Sequence, residues 1–165
     1  MIHPANTAER LAFGRLLDPV ADDTPVHVAQ RPTTALIGRI LIGAIFMVSG
    51  IAKLTDTAGT AGYMDAAGIP YAPQLAVIAG IAEIVGALSL IFGFLTRIGA
   101  LGLIVFMIPT TLLFHAFWTF DGPEQKMQMV DFMKNLAIIG GLAMIFAFGP
   151  SRYSIDHKIR APLQP

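Results

Sequence analysis

Lys53, Glu83, His115 and Lys134 lie in or at the ends of four long apolar runs, each at a set distance from an arginine. Lys53 follows Arg39 by 14 residues, and Glu83 precedes Arg97 by 14. His115 follows Arg97 by 18, and Lys134 precedes Arg152 by 18. If Arg39, Arg97 and Arg152 mark one membrane surface, the four side chains sit roughly 21–27 Å away along helices rising about 1.5 Å per residue. In a hydrocarbon core about 30 Å thick, that is one polar layer toward the opposite face. A charge stranded in hydrocarbon is costly, so residues of this kind default to a functional role. A carboxylate, an imidazole and two amines at one depth can donate hydrogen bonds and exchange protons in apolar surroundings.

Each of these residues also has a plainer reading. Lys53 and Lys134, near helix ends, can snorkel to the interface. Asp131 and Lys134 can form an i,i+3 pair at the start of a helix. A lone His115 can be a hydrogen-bonded packing residue. Glu83, about 21 Å from the inner marker by helix rise, is the hardest to explain as incidental.

The elements that must position them are membrane spans. Hydrophobic residues make up 55% of the 165-residue chain and charged residues 13%, against about a quarter charged in soluble domains. Mean hydropathy is +0.66. The formal net charge is zero and no basic stripe is present, so nucleic acid is not an expected partner. The absence of cysteine excludes disulfides, thiolate metal sites, iron–sulfur ligation and thiol–disulfide exchange by this chain. No metal site is expected: His115 is the one histidine within a span, and the eight methionines read as packing filler. No secretory signal peptide is expected, because residues 1–33 carry Glu9, Asp18, Asp22 and Asp23 without an apolar stretch ahead of the first long run.

An all-α bundle of four transmembrane helices is predicted. Residues 1–33 form a polar cytoplasmic arm, either a disordered tail or a short interfacial helix built on Leu11, Leu16, Leu17 and Val20. The membrane domain covers residues 34–150, with spans at about 34–54, 71–96, 98–120 and 127–148, and residues 151–165 form a cytoplasmic tail. A short helix is expected at about 63–67, a kink at Pro109, and a turn at Asp121-Gly122-Pro123. Eight basic residues fall on the side of the termini and three (Lys53, Lys126, Lys134) on the other. The positive-inside rule then puts both termini in the cytoplasm, in a multi-pass protein of the cytoplasmic (inner) membrane whose polar layer faces outward.

Spacing identifies the inward faces. Arg39, Gly43, Phe46, Gly50 and Lys53 follow steps of four and three, as do Ala79, Glu83, Gly86 and Gly93. Small residues there allow close helix approach, so Gly43, Gly50, Ala79, Gly86, Gly93 and Gly141 are the expected packing positions. Lys53 and Glu83 are the natural charge pair. Thr111, His115 and Trp118 share a third face, and Asp131, Lys134, Asn135, Ile138 and Gly141 a fourth.

The order of these elements resembles the DoxX family of small four-span membrane proteins. The resemblance covers about residues 34–150 and rests on several motifs. These are GRILIGAIFMVSGIAKL (38–54), Gly68-Ile69-Pro70, Glu83 with Gly86, GFLTR (93–97), the late His115 and FMKNLAIIGGL (132–142). It implies a four-helix bundle and a link to quinone-dependent oxidoreduction, with quinone as the implied cofactor. Some members are similar to subunits of a thiosulfate:quinone oxidoreductase, and others are associated with oxidative-stress complexes. Distant relatives that handle disulfides use cysteines this chain lacks.

Three functions follow as expectations. The first is a membrane subunit of a quinone-linked oxidoreductase, with Lys53, Glu83, His115, Asp131, Lys134 and Asn135 as the polar, quinone-binding cluster. The second is a non-catalytic subunit that packs on other membrane subunits or on itself. The third is a small transporter or proton path through Glu83 and His115, which four spans without broken, repeated halves favour least.

Overall fold

The computed structural model describes residues 32–160, and the arm expected at residues 1–33 lies outside them except for its last two residues, which begin the first helix. Within that stretch there is no strand, and four helices are long and apolar enough to cross a membrane. α1 spans Pro32–Thr55, and Pro32 suits a first helical position because its missing N–H is not needed there. Its 24 residues reach about 36 Å, enough for the hydrocarbon core. Arg39, Gly43, Phe46 and Gly50 form its buried stripe.

α2 covers Thr57–Ala66, longer than the 63–67 segment expected from sequence. The reason is Asp56, whose side chain accepts a hydrogen bond from Gly59 N and caps the helix six residues earlier. Met64 on α2 packs with Ala72, Ala76 and Ala79, so this short helix lies on the N-terminal half of the next span. That span, α3 (Ala72–Phe92), has Pro73 in its first turn. It stops four residues earlier than expected, because Gly93 takes a left-handed conformation (φ 68°) that ends the helix.

α4 runs Thr96–Phe114, with Pro109 inside it. The expected span to 120 is interrupted here. His115 becomes the C-cap, and a short 3-10 turn occupies Phe117–Thr119. Trp118 therefore leaves the helical face it was expected to share with His115, and packs edge-on against Phe117 and Phe132. α5 (Gly122–Phe148) begins as soon as the turn allows, with Pro123 pre-set for a first turn. α6 covers Ile155–Arg160.

α1 packs most closely on α3, and α5 packs on α4, whereas α1 and α5 touch only sparsely. The core joins Phe46, Ala87, Leu90, Ala100, Leu103, Met107 and Leu142. Gly50 and Gly80 mark the α1–α3 crossing. A Cβ on Gly50 would sit 2.7 Å from the Gly80 carbonyl oxygen, and one on Gly80 would sit 3.2 Å from that of Gly50. Gly43 meets Ile91 and Ala87 in the same seam, and Gly86 faces Leu103 between α3 and α4. Leu41, Val48, Ile78, Val85, Val105 and Met144 are exposed, an outer surface suited to lipid tails.

Candidate functional site

Two helices held at glycine distance bring a lysine and a glutamate together. Gly50 lets α1 approach α3 so closely that its missing Cβ would meet Glu83 Cβ at 3.2 Å. Lys53, one turn further along, then reaches the Glu83 carboxylate, its Nζ donating to Oε1 at 3.0 Å and Oε2 at 2.9 Å. Nζ also donates to Ser49 Oγ at 2.6 Å. Glu83 is 4% exposed, and the Lys53 side chain is 23% exposed. A pair buried this far from water is worth little as a stabiliser compared with apolar packing, yet losing one partner leaves an uncompensated charge. Such a pair invites a functional explanation.

The pair borders a cavity of about 630 Å³ between α1, α3, α4 and α5. That volume falls within the range of small-molecule sites, about 300–1,000 Å³. Its walls are mostly apolar, with Ile42, Phe46, Phe106, Met107 and Ile138 among them. Ser49, Lys53, Glu83, Thr110, His115, Lys134 and Asn135 supply its polar atoms. A second cavity of about 380 Å³ adjoins Lys53, Phe106, Thr110 and His115 from the side of α2, where Thr60 and Tyr63 line it. The Tyr63 ring stacks on Phe114 with centroids 5.1 Å apart.

Five of the six residues proposed from sequence as a polar cluster line the larger cavity, and Asp131 does not. His115 Nδ1 lies 2.9 Å from Gln128 Oε1, so the ring N–H donates across to α5. Lys134 bonds Asp131 at 2.6 Å, but their side chains are 59% and 32% exposed. That is the geometry of a surface i,i+3 pair, which contributes little to stability. Asn135 is buried. Ser49 and Gln128 are additions that sequence reasoning missed. The signal for Ser49 was its place one turn before Lys53 on the same face. Gln128 carried no such mark.

Among the expected packing positions, Gly43, Gly50, Ala79 and Gly86 lie in helix contacts, and a Cβ on Gly141 would sit 2.8 Å from Ile42 Cδ1. Gly93 differs. It is the turn after α3, packed against the Arg39 guanidinium and Ser154.

The opposite end of the bundle holds a second polar assembly. Arg39, 2% exposed, donates to Ser151 Oγ at 3.2 Å and to the Tyr153 carbonyl at 2.7 Å. Asp156 accepts from Leu95 N at 2.8 Å, Thr96 N at 2.9 Å and Thr96 Oγ1 at 2.8 Å. It thereby caps α4 from the far end of the chain. The Nε and Nη1 of Arg39 are buried without a hydrogen-bond partner. Among the described residues, no group of three or more His, Asp or Glu side chains is placed to hold a metal ion.

The DoxX family model matches residues 34–116, which take in α1 to α4 and reach just past His115. Inner membrane protein YqjF of Escherichia coli is 41% identical over 124 residues, covering 75% of this chain and 90% of that protein. Inner membrane protein YphA of the same organism is 32% identical over 130 residues, covering 79% of this chain and 93% of its own length. An uncharacterized membrane protein of Mycobacterium tuberculosis is 30% identical over 138 residues, covering 79% and 84%. No solved structure matches the chain. Four spanning helices on glycine seams, a family match over half the chain and end-to-end similarity to inner membrane proteins lead to one assignment: the chain is a multi-pass inner-membrane protein that belongs to the DoxX family.

Proposed function

We propose that this chain is a membrane subunit of a quinone-linked oxidoreductase system, and that the cavity beside Lys53 and Glu83 holds the quinone ring. The observation that carries this reading is a buried, hydrogen-bonded ion pair open to a mostly apolar cavity of about 630 Å³. The fit is chemical. A quinone ring is flat and apolar with carbonyl acceptors at its edge, and the cavity offers apolar walls with donors at Lys53 and Asn135. A quinone supplies two-electron chemistry, taking up two electrons and two protons to become a quinol.

This chain's residues bind, orient and exchange protons. Lys53 Nζ would turn one N–H from Ser49 Oγ to a ring carbonyl while Glu83 holds the ammonium in place. Glu83 and His115 are the groups able to hold and pass protons, and the α2-side cavity at Lys53 and His115 gives those protons a path outward. With no cysteine in the chain, the electrons come from a redox centre on a partner subunit. In this reading the termini are cytoplasmic and the cavity faces the outer side, following the basic-residue asymmetry.

A second reading, a non-catalytic assembly subunit, is favoured by α5. Among its 27 residues only Asn135 and Leu142 are buried, which leaves most of that helix available to lipid or to another subunit.

One substitution separates the two. Replacing a buried ion pair by apolar residues of similar volume is often neutral or stabilising. The double variant Lys53→Met/Glu83→Met should therefore keep its thermal midpoint, while its affinity for a short-tailed benzoquinone falls roughly 10- to 100-fold with the charge-assisted hydrogen bonds. Glu83→Gln keeps an amide partner for Lys53 and should lose less affinity than Glu83→Ala. Equilibrium binding in detergent is the measurement. Unchanged affinity in the double variant would end the quinone reading and leave the assembly reading standing.

A further inference from the structure

We propose that the cavity receives its ligand sideways from the bilayer, as a long-chain isoprenoid quinone whose tail lies in the seam between α1 and α5. The inference rests on the quinone reading above and adds the substrate's chain and its route.

Helix contacts point to the seam. α1 is held tightly to α3, and α5 to α4, but α1 and α5 meet only sparsely, so the cavity's weak wall faces lipid. Below it the seam continues as a second cavity of about 250 Å³, with Ala35 and Gly38 on α1 facing Met144 and Phe148 on α5. Ile42 lines both cavities. It is also the side chain nearest the bare Gly141, whose added Cβ would meet only Ile42 atoms within 4 Å. Ile42 is thus the side chain the two spaces share, and a χ2 rotation that moves its Cδ1 would widen the passage between them. From Lys53 to Ala35 the seam runs roughly 27 Å along α1 by helix rise, from the polar cavity toward the inner membrane surface. An amphiphile with its ring among the polar groups and its chain in an apolar trench matches this gradient. A water-soluble substrate would have no use for the trench.

Gly38 provides the test. A Cβ there meets nothing within 4 Å, so Gly38→Leu has room at its first carbon, extends into the cavity that Gly38 lines, and replaces a poor helix former with a good one. Position 38 lies roughly 22 Å by helix rise from Lys53, too far to touch a bound ring. The full chain in lipid nanodiscs is titrated with a long-tailed isoprenoid benzoquinone and with the same ring lacking its tail. A photoreactive group on the tail is then crosslinked and mapped by mass spectrometry. The wild type should bind the long-tailed form more tightly and crosslink within residues 35–42 and 141–149. Gly38→Leu should weaken the long-tailed form roughly ten-fold and leave the tail-less ring unchanged. If the ring binds but Gly38→Leu affects both ligands equally, or the crosslinks fall elsewhere, the seam proposal is wrong and the ring site survives. A photoactivatable phospholipid that labels the seam and is not displaced by the long-tailed quinone would also overturn it. If neither quinone binds the wild type, both readings fall together.

Discussion

Leu95 has a positive φ of 51°, a conformation that costs a β-substituted residue about 1–2 kcal/mol, and it sits between α3 and α4 where no glycine relieves it. The compensation comes from Asp156, whose two carboxylate oxygens take the backbone N–H groups of Leu95 and Thr96 and the Thr96 hydroxyl. The negative charge also lies where the dipole of α4 favours it. Asp156→Ala should lower stability by about 1–2 kcal/mol, the usual loss for an N-cap, and Asp156→Asn by less. Read as thermal unfolding in detergent, that is a fall of about 3–8 °C for a chain of this size. A wild-type midpoint in Asp156→Ala would show that Leu95 holds its conformation without the cap.

At the scale of elements, backbone contact at one crossing decides where the charges meet. Gly50 and Gly80 let α1 and α3 touch through their main chains, and Lys53 and Glu83 are each one turn away on the same faces. A methyl group on Gly50 would press on a backbone oxygen at 2.7 Å, which cannot rotate aside. Gly50→Ala should therefore destabilise by about 1–3 kcal/mol through overpacking, despite its better helix propensity. Gly62, in α2, has nothing within 4 Å of an added Cβ, and Gly62→Ala should be neutral or stabilise by up to about 1 kcal/mol. Comparing the two thermal midpoints checks the crossing. Equal midpoints would mean that the helices are not in backbone contact.

For the whole molecule, the arrangement of basic residues sets the expected orientation. Eight lie on the side of the termini and three on the other, so both ends should be cytoplasmic. Fusions of a fluorescent protein, which matures only in the cytoplasm, should glow at both ends. Alkaline phosphatase fused there should be inactive, and activity at either end would reverse the topology. The same orientation puts the Arg39–Asp156 end inside and the Lys53–Glu83 cavity outside.

The four spans were legible in the sequence because a hydrocarbon solvent demands about 20 apolar residues per crossing, a length that few other signals imitate. The buried stripes of α1 and α3 were legible for a related reason, since glycine and alanine at steps of three and four mark where helices can approach. Helix ends were less so. Span 98–120 read as continuous because Phe117, Trp118 and Phe120 are apolar, and hydropathy does not register the 3-10 turn after Phe114. Only tertiary structure decided which polar residues share a space. Lys134 and Asp131 have the depth of the cluster and pair with each other, yet only Lys134 lines the cavity and Asp131 stays outside it. Spacing puts Arg39 on an inward face, but its partners there, Ser151 and the Tyr153 carbonyl, lie more than a hundred positions along the chain. Depth along a helix is a property of the local sequence. Contact between helices depends on how they rotate and cross, which is set by packing among residues far apart in the chain.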